Sequence, residues 1–523
     1  MATLDRKNGT PYPRPTPARR LQEELMSAVR RITKNAILLN MARIISTLGK
    51  FFLFIFIARE LGQETLGQFS FAIVFTSFFA IVISMGMDDL LVREVARDNR
   101  SSEKYVGNMF VMRMLLSLAI FIIIIILINI LNYPLETRLA VYIFGGYVIF
   151  TSFSFLFRAN FRAFEKMEWD ALLEIIESLL TTAVGLLLIF TGFGLIALCL
   201  TFLISSILNA AIGLIINRRK FSRLKLKTDF QFWKDTIVKS APFAVFALFI
   251  LYPQVDTILL SSLKGAAVVG KYTAAYYIVT AFSPVVMNFM IALVPVISRY
   301  FISAKNMLAY VYEKSVKYLL LIAFPVSTVA TILAEKIIVL LYGTGYGDSV
   351  LALKILAWNC VLLAMSRPMF YVLGAINRQG TCAVITISAL TLSICLNILI
   401  IPYWSYLGSA VITLINGVLV TLASWYATSK YGFTLPLLKN ILKPASASIV
   451  MGITVYAVDA VSGASLPVLI LLGIIIYILF LIITRSINKD DLELIKAAFQ
   501  KRKIFDKAQI TRDDSGKKIQ KTI

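Results

Sequence analysis

Asn40, Arg43, Thr47 and Lys50 follow one another at intervals of three, four and three residues in an otherwise apolar stretch. That spacing places all four on one face of a helix, with Arg43 and Lys50 about 10.5 Å apart at 1.5 Å per residue. No Asp or Glu lies between residues 35 and 58 to neutralise them. Two such cations in a membrane helix need an external anion or a water-filled lumen; otherwise they snorkel to the surface or pair with acids on neighbouring helices. Arg113 and Lys354 pose the same question elsewhere. Arg113 lies about two turns into its span, where a lumen role competes with snorkelling. Lys354 opens its span near the outer side, where a rim position or snorkelling competes with deeper contact to a bound substrate.

Asp256 is the acid of most interest. It closely follows Pro253, and proline kinks a helix and leaves a carbonyl unsatisfied. An acid there is suited to binding Na⁺ or H⁺ as a coupling ion, to locking two lobes through an ion pair, or to a purely structural partnership. Tyr272, Tyr276 and Tyr277, followed by Thr280 and Ser283, form a polar aromatic side that could stack on sugars. Tyrosines also anchor helices at the membrane interface, and Tyr272 is expected to do that. Glu174 and Glu177 read as a solvated helix start, Arg158 as a positive residue at the inner surface, and Asp88 and Asp89 as facing the cytoplasm.

Other chemistry is excluded by composition. The chain has no histidine, which removes Ser-His-Asp and Cys-His catalysis and histidine metal sites. Cys199, Cys360, Cys382 and Cys395 are scattered singly, fitting neither a disulfide framework nor a thiolate metal site. No Gly-x4-Gly-Lys-Ser/Thr loop is present, so no ATP site is visible, and any movement of solute would draw on gradients or potential. No metal or cofactor is expected apart from Na⁺ or H⁺ coupling, and no catalytic residue.

The elements that must position these residues are membrane helices. Of 523 residues, 59% are hydrophobic and 15% charged, too apolar for a soluble surface. Spans are predicted at roughly 35–58, 66–87, 106–131, 138–160, 171–191, 194–216, 240–262, 272–297, 314–341, 350–374, 381–401, 405–429, 441–461 and 466–485. The class is therefore all-α, a polytopic protein with 14 transmembrane helices, since only helices and closed barrels satisfy their backbone in lipid. The net charge of +23 points to cytoplasmic loops and anionic lipid head groups rather than nucleic acid. Counting Lys and Arg on alternate sides assigns 43 to one side and 5 to the other, which puts both termini in the cytoplasm. Residues 1–33, with four prolines and no apolar run, read as a soluble tail rather than a signal peptide.

The hairpin after the first span carries Gly62, Gly67, Phe69, Ser70 and Ala72; the one after the seventh carries Gly265, Gly270, Tyr272, Thr273 and Ala275. Every pair is offset by 203 residues. The match predicts two pseudo-symmetric six-helix lobes in a parallel repeat around a central cavity, with two C-terminal helices outside it. The organisation reads as a basic tail 1–33, an N-lobe 34–216, a basic linker 217–239, a C-lobe 240–430, helices 13 and 14 at 431–485, and a basic tail 486–523.

Four stretches carry a resemblance. Phe56–Gly62 with Gly67–Phe69, Val255–Leu260 with Gly270–Tyr272, Leu341–Tyr346 with Leu353–Leu356, and Tyr406–Ala410 resemble, in order and position, signatures of the polysaccharide-biosynthesis flippases. These belong to the multidrug/oligosaccharidyl-lipid/polysaccharide exporter superfamily. Trp404 and Tyr406 depart from the usual small residues of the last motif. The resemblance implies a multi-pass cell-membrane transporter, not an enzyme, that flips a polyprenyl-(pyro)phosphate-linked oligosaccharide by alternating access. It also supplies an anion for Arg43 and Lys50, a lipid pyrophosphate, whose oxygens an Arg can grip bidentately. A drug/cation antiporter of the same superfamily is the alternative, though it would want an acid where the first span has cations. A membrane glycan-assembly enzyme would want long outer loops or clustered acids. A monomer is expected.

Overall fold

The structure is a computed structural model that describes residues 38–251, 254–290, 293, 305–484 and 486. It is all helix among the described residues, as lipid demands. The first half comprises α1 (38–56), α2 (Gly62–Ser84), α3 (Met87–Arg97), α4 (Ser102–Ile130), α5 (Leu135–Ala163), α6 (Met167–Phe190) and α7 (Leu195–Lys220). The second half comprises α8 (Phe230–Leu251), α9 (Val255–Lys264), α10 (Ala266–Thr280), α11 (283–290), α12 (Lys305–Ile332), α13 (Ala334–Tyr342), α14 (Ser349–Leu356), α15 (Asn359–Ala375) and α16 (Gln379–Lys430). Helices α17 (Leu437–Ser462) and α18 (Leu466–Ile483) pack on each other and on α12.

Eleven helices among the described residues are long and apolar enough to cross a membrane. Two of these are too long for one crossing. The 52 residues of α16 would span about 78 Å at 1.5 Å per residue, against a hydrocarbon core of about 30 Å. Its backbone breaks at Ser405 (φ 51°, ψ −139°), the first residue of the predicted twelfth span. The continuous run Leu38–Arg97 is divided in the same way by a π-helical turn, Ile57–Leu61, and by Gly62.

The 203-residue offset reappears in the backbone. Gly62 has φ 81° and ψ 179°, and Gly265 has φ 85° and ψ 176°, a region open to glycine and strained for other residues. Beyond each bend, α2 and α10 run side by side and join the two lobes. A Cβ on Gly67 would lie 1.8 Å from the Ala266 carbonyl oxygen, and one on Gly270 would lie 1.9 Å from that of Gln63. Only glycine permits this backbone contact. Ser70 and Thr273 meet at 3.5 Å in the same seam. Around it, Tyr346 donates to the Ala58 carbonyl at 3.0 Å, Gln63 to that of Gly345 at 2.5 Å, and Tyr342 to that of Ala274 at 3.1 Å. The lobes are thus sealed on the face of the two hairpins, opposite the basic loops. On the basic side the linker lies against α4, where Lys225 pairs with Glu103 at 2.8 Å and a Cβ on Gly107 would meet the Lys225 carbonyl at 2.0 Å.

Candidate functional site

Helix α1 has three faces. Met41, Ile44, Ile45, Leu48 and Phe52 are exposed on one. Ala42, Ser46 and Leu53 are buried on the second, which lies on α6: a Cβ on Gly49 would come within 2.6 Å of the Thr182 Oγ1 and 3.2 Å of the Ser178 Oγ. The third carries Asn40, Arg43, Thr47, Lys50 and Phe54, as their spacing requires. Phe54 packs on Tyr277 of α10 with ring centroids 3.8 Å apart, so this face turns towards the other lobe.

The two cations on that face are not equivalent. Lys50 lies within electrostatic reach of Glu177 and Glu174 of α6, and Ser46 faces Glu174. Arg43 is exposed, and among the described residues no carboxylate lies within 4.0 Å of it. Its charge reaches Tyr371 of α15, as does that of Arg367 one helical turn earlier. Arg367 is buried in the second lobe, so Tyr371 lies within electrostatic reach of a cation from each lobe. Arg367 lies inside α15, within the predicted span 350–374, and is not among the residues singled out from the sequence. The signal available was an Arg-Pro pair within an apolar span.

Arg113 is fully buried and is not at this face. It pairs with Asp88 of α3 at 2.7 Å and donates to the Ser152 carbonyl, so neither snorkelling nor a lumen role describes it, and Asp88 is not simply a cytoplasmic acid. Arg158 is likewise no surface residue: it is buried between Asp170, at 2.5 Å, and Glu174. Glu174 and Glu177 are only partly accessible rather than a solvated helix start. The Glu177 carboxylate accepts from Asn209 at 2.9 Å and from Tyr147 at 3.5 Å. Each of these partners sits on a different helix. Lys354 is exposed on α14 and, among the described residues, forms no ion pair within 4.0 Å.

A second polar centre lies inside the other lobe. Asp256 of α9 is buried, and its carboxylate accepts four neutral donors. These are Thr413 Oγ1 at 2.5 Å, Asn397 Nδ2 at 2.9 Å, Tyr272 Oη at 3.1 Å and Ser393 Oγ at 3.2 Å. Ser409 donates to the Asn397 amide oxygen at 2.8 Å. No ion pair engages Asp256 among the described residues, so the lobe-locking salt bridge is absent there. Tyr272 is a buried ligand of this carboxylate, not an interfacial anchor, and it stacks on Tyr276 at 5.7 Å. A cavity of ≈ 30 Å³ borders the cluster, lined by Asp256, Asn359, Ser366, Ser393, Thr413 and Asn416 among others. That is room for about one or two water-sized guests. Pro253 lies outside the described residues.

The sequence pattern of the polysaccharide biosynthesis protein family matches residues 32–301, more than half of the chain. The chain belongs to that family. One relative of this family member is the probable low-salt glycan biosynthesis flippase Agl15 of Haloferax volcanii, 21% identical over 402 residues, covering 74% of this chain and 81% of the relative. Among solved structures, the lipid II flippase MurJ in an inward closed conformation superposes with a TM-score of 0.72 at 19% identity, covering 86% of this chain and 99% of that one. An inward-facing multidrug resistance MATE family transporter of the MOP superfamily superposes at 0.61 and 16% identity, covering 76% and 98%. These likenesses show the two-lobed transporter fold.

Proposed function

We propose that this protein is a flippase and not an enzyme. It carries a polyprenyl-(pyro)phosphate-linked oligosaccharide from the cytoplasmic to the outer leaflet of the cell membrane, by alternating access, for surface polysaccharide or glycan assembly. The observation that carries this reading is Arg43, a membrane cation turned towards the opposite lobe with no carboxylate within 4.0 Å among the described residues. An uncompensated guanidinium in a low-dielectric setting is costly unless an anion visits, and its planar fork suits phosphate oxygens. Arg367, reaching the same Tyr371 from the other lobe, lets one anion be gripped from both sides. The named roles of Agl15 and MurJ as flippases support the same reading.

Asp256 is the coupling site in this account. Its carboxylate, the Ser393 and Thr413 hydroxyls and the Asn397 amide oxygen would hold Na⁺, or the carboxylate would take up H⁺. Either neutralises the one charge that four neutral dipoles now stabilise. Anionic lipids contact the basic loops, both termini are cytoplasmic, and the protein works as a monomer. Reconstitution into vesicles tests the function: a fluorescent polyprenyl-pyrophosphate oligosaccharide should cross leaflets only with protein present. Transport of an organic cation without movement of that lipid would instead establish the antiporter reading.

A further inference from the structure

The proposal concerns how Lys50 is used, and it rests on the flippase reading. Helix α6 presents Asp170, Glu174 and Glu177 at intervals of four and three residues, a row along one face. The lower two are already served by cations: Arg158 pairs with both Asp170 and Glu174, and Arg162 approaches Asp170 at 3.6 Å. Glu177, about 10.5 Å beyond Asp170 along the helix, is left with Lys50. Gly49 brings α1 into contact with α6 at Ser178, next to Glu177, and thereby sets Lys50 beside the row. Yet Lys50 forms no ion pair within 4.0 Å among the described residues, and the Glu177 oxygens already accept from Asn209 and Tyr147. Glu177 therefore has its hydrogen bonds without Lys50, while Lys50 lies within electrostatic reach of Glu177 without a closed contact.

We propose that Glu177 is the resident counter-ion of Lys50 and is exchanged for the anionic head group of the substrate. Glu177 keeps Lys50 tolerable in the membrane when the cavity holds no substrate, and Lys50 swings its free donors to the phosphate when one arrives. Glu177 is a positioning residue that tunes affinity, and Arg43 makes the primary contact. The exchange lets a tightly bound anion leave, because the carboxylate recaptures the ammonium.

The test uses the full-length protein in detergent with farnesyl pyrophosphate as the probe. Glu177→Gln keeps the shape and one acceptor, removes the competing charge, and should bind the probe about fivefold tighter, within the usual range of site coupling. Lys50→Gln should weaken binding, and in the Lys50→Gln, Glu177→Gln double variant the gain should vanish. Should Glu177→Gln misassemble, Glu177→Asp withdraws the carboxylate by one methylene and should give a smaller gain in the same direction. A gain that persists without Lys50, or no gain from either Glu177 variant, would overturn the proposal. Loss of binding in Arg43→Ala alongside either result would leave the flippase reading standing; unchanged binding in Arg43→Ala would bring down both.

Discussion

Gly67 and Gly270 occupy equivalent places 203 residues apart, and each is pressed against the backbone of the opposite half, at Ala266 and Gln63. Ala266 and Gln63 are themselves equivalent by the same offset, so the seam has a local two-fold symmetry. A duplicated chain gains this contact twice from one motif.

Gly67→Ala and Gly270→Ala should each force α2 and α10 apart, because the new methyl would overlap a carbonyl group rather than a yielding side chain. Overpacking of this kind costs about 1–3 kcal/mol, enough to shift the lobes away from the sealed arrangement. A cysteine placed at Ser70, in the seam, should become accessible to an impermeant maleimide in either variant. Labelling that stays at the parental level would show that the glycines do not hold the seal.

Asp256→Asn should uncouple transport. The amide cannot supply the negative charge that Na⁺ or H⁺ would neutralise, although it keeps the cluster's shape. Gradient-driven flipping in vesicles should fall about tenfold, with downhill equilibration retained. Unchanged gradient-driven flipping would make the Asp256 cluster structural.

Arg158→Leu should act on stability rather than on transport. It removes the cation that Asp170 and Glu174 share, leaving Asp170 only the more distant Arg162, and breaking a buried pair on one side costs about 3–5 kcal/mol. Thermal unfolding in detergent should shift down sharply, and the Arg158→Leu, Asp170→Asn double variant should recover part of the loss. Wild-type stability in Arg158→Leu would show that the network contributes nothing to the fold.

The spans and the repeat were legible because hydropathy and paired glycines are properties of one stretch of chain. The α1 cation face was legible for the same reason: positions 40, 43, 47 and 50 can be wound on a helix without knowing its neighbours. What α1 faces was not. The partners of Arg113, Arg158 and Lys50 lie on other helices, and periodicity within one helix says nothing about them. At Asp256 the acid stood out, but Ser393 and Asn397, and Ser409 and Thr413, looked like ordinary hydroxyl and amide residues of membrane helices. Their four-residue spacings on two consecutive spans were the available signal, and it pointed to a face without naming its target. Arg367 was passed over although it lies inside the predicted span 350–374.

The central claim is that Arg43 receives the phosphate of the transported lipid. Its most direct test is flipping of a fluorescent polyprenyl-pyrophosphate oligosaccharide in vesicles carrying equal amounts of folded wild-type, Arg43→Lys or Arg43→Ala protein. The alanine variant should insert and fold normally yet lose flipping, and the lysine variant should keep a fraction of it, because it retains the charge without the planar fork. Wild-type flipping rates in Arg43→Ala would contradict the account.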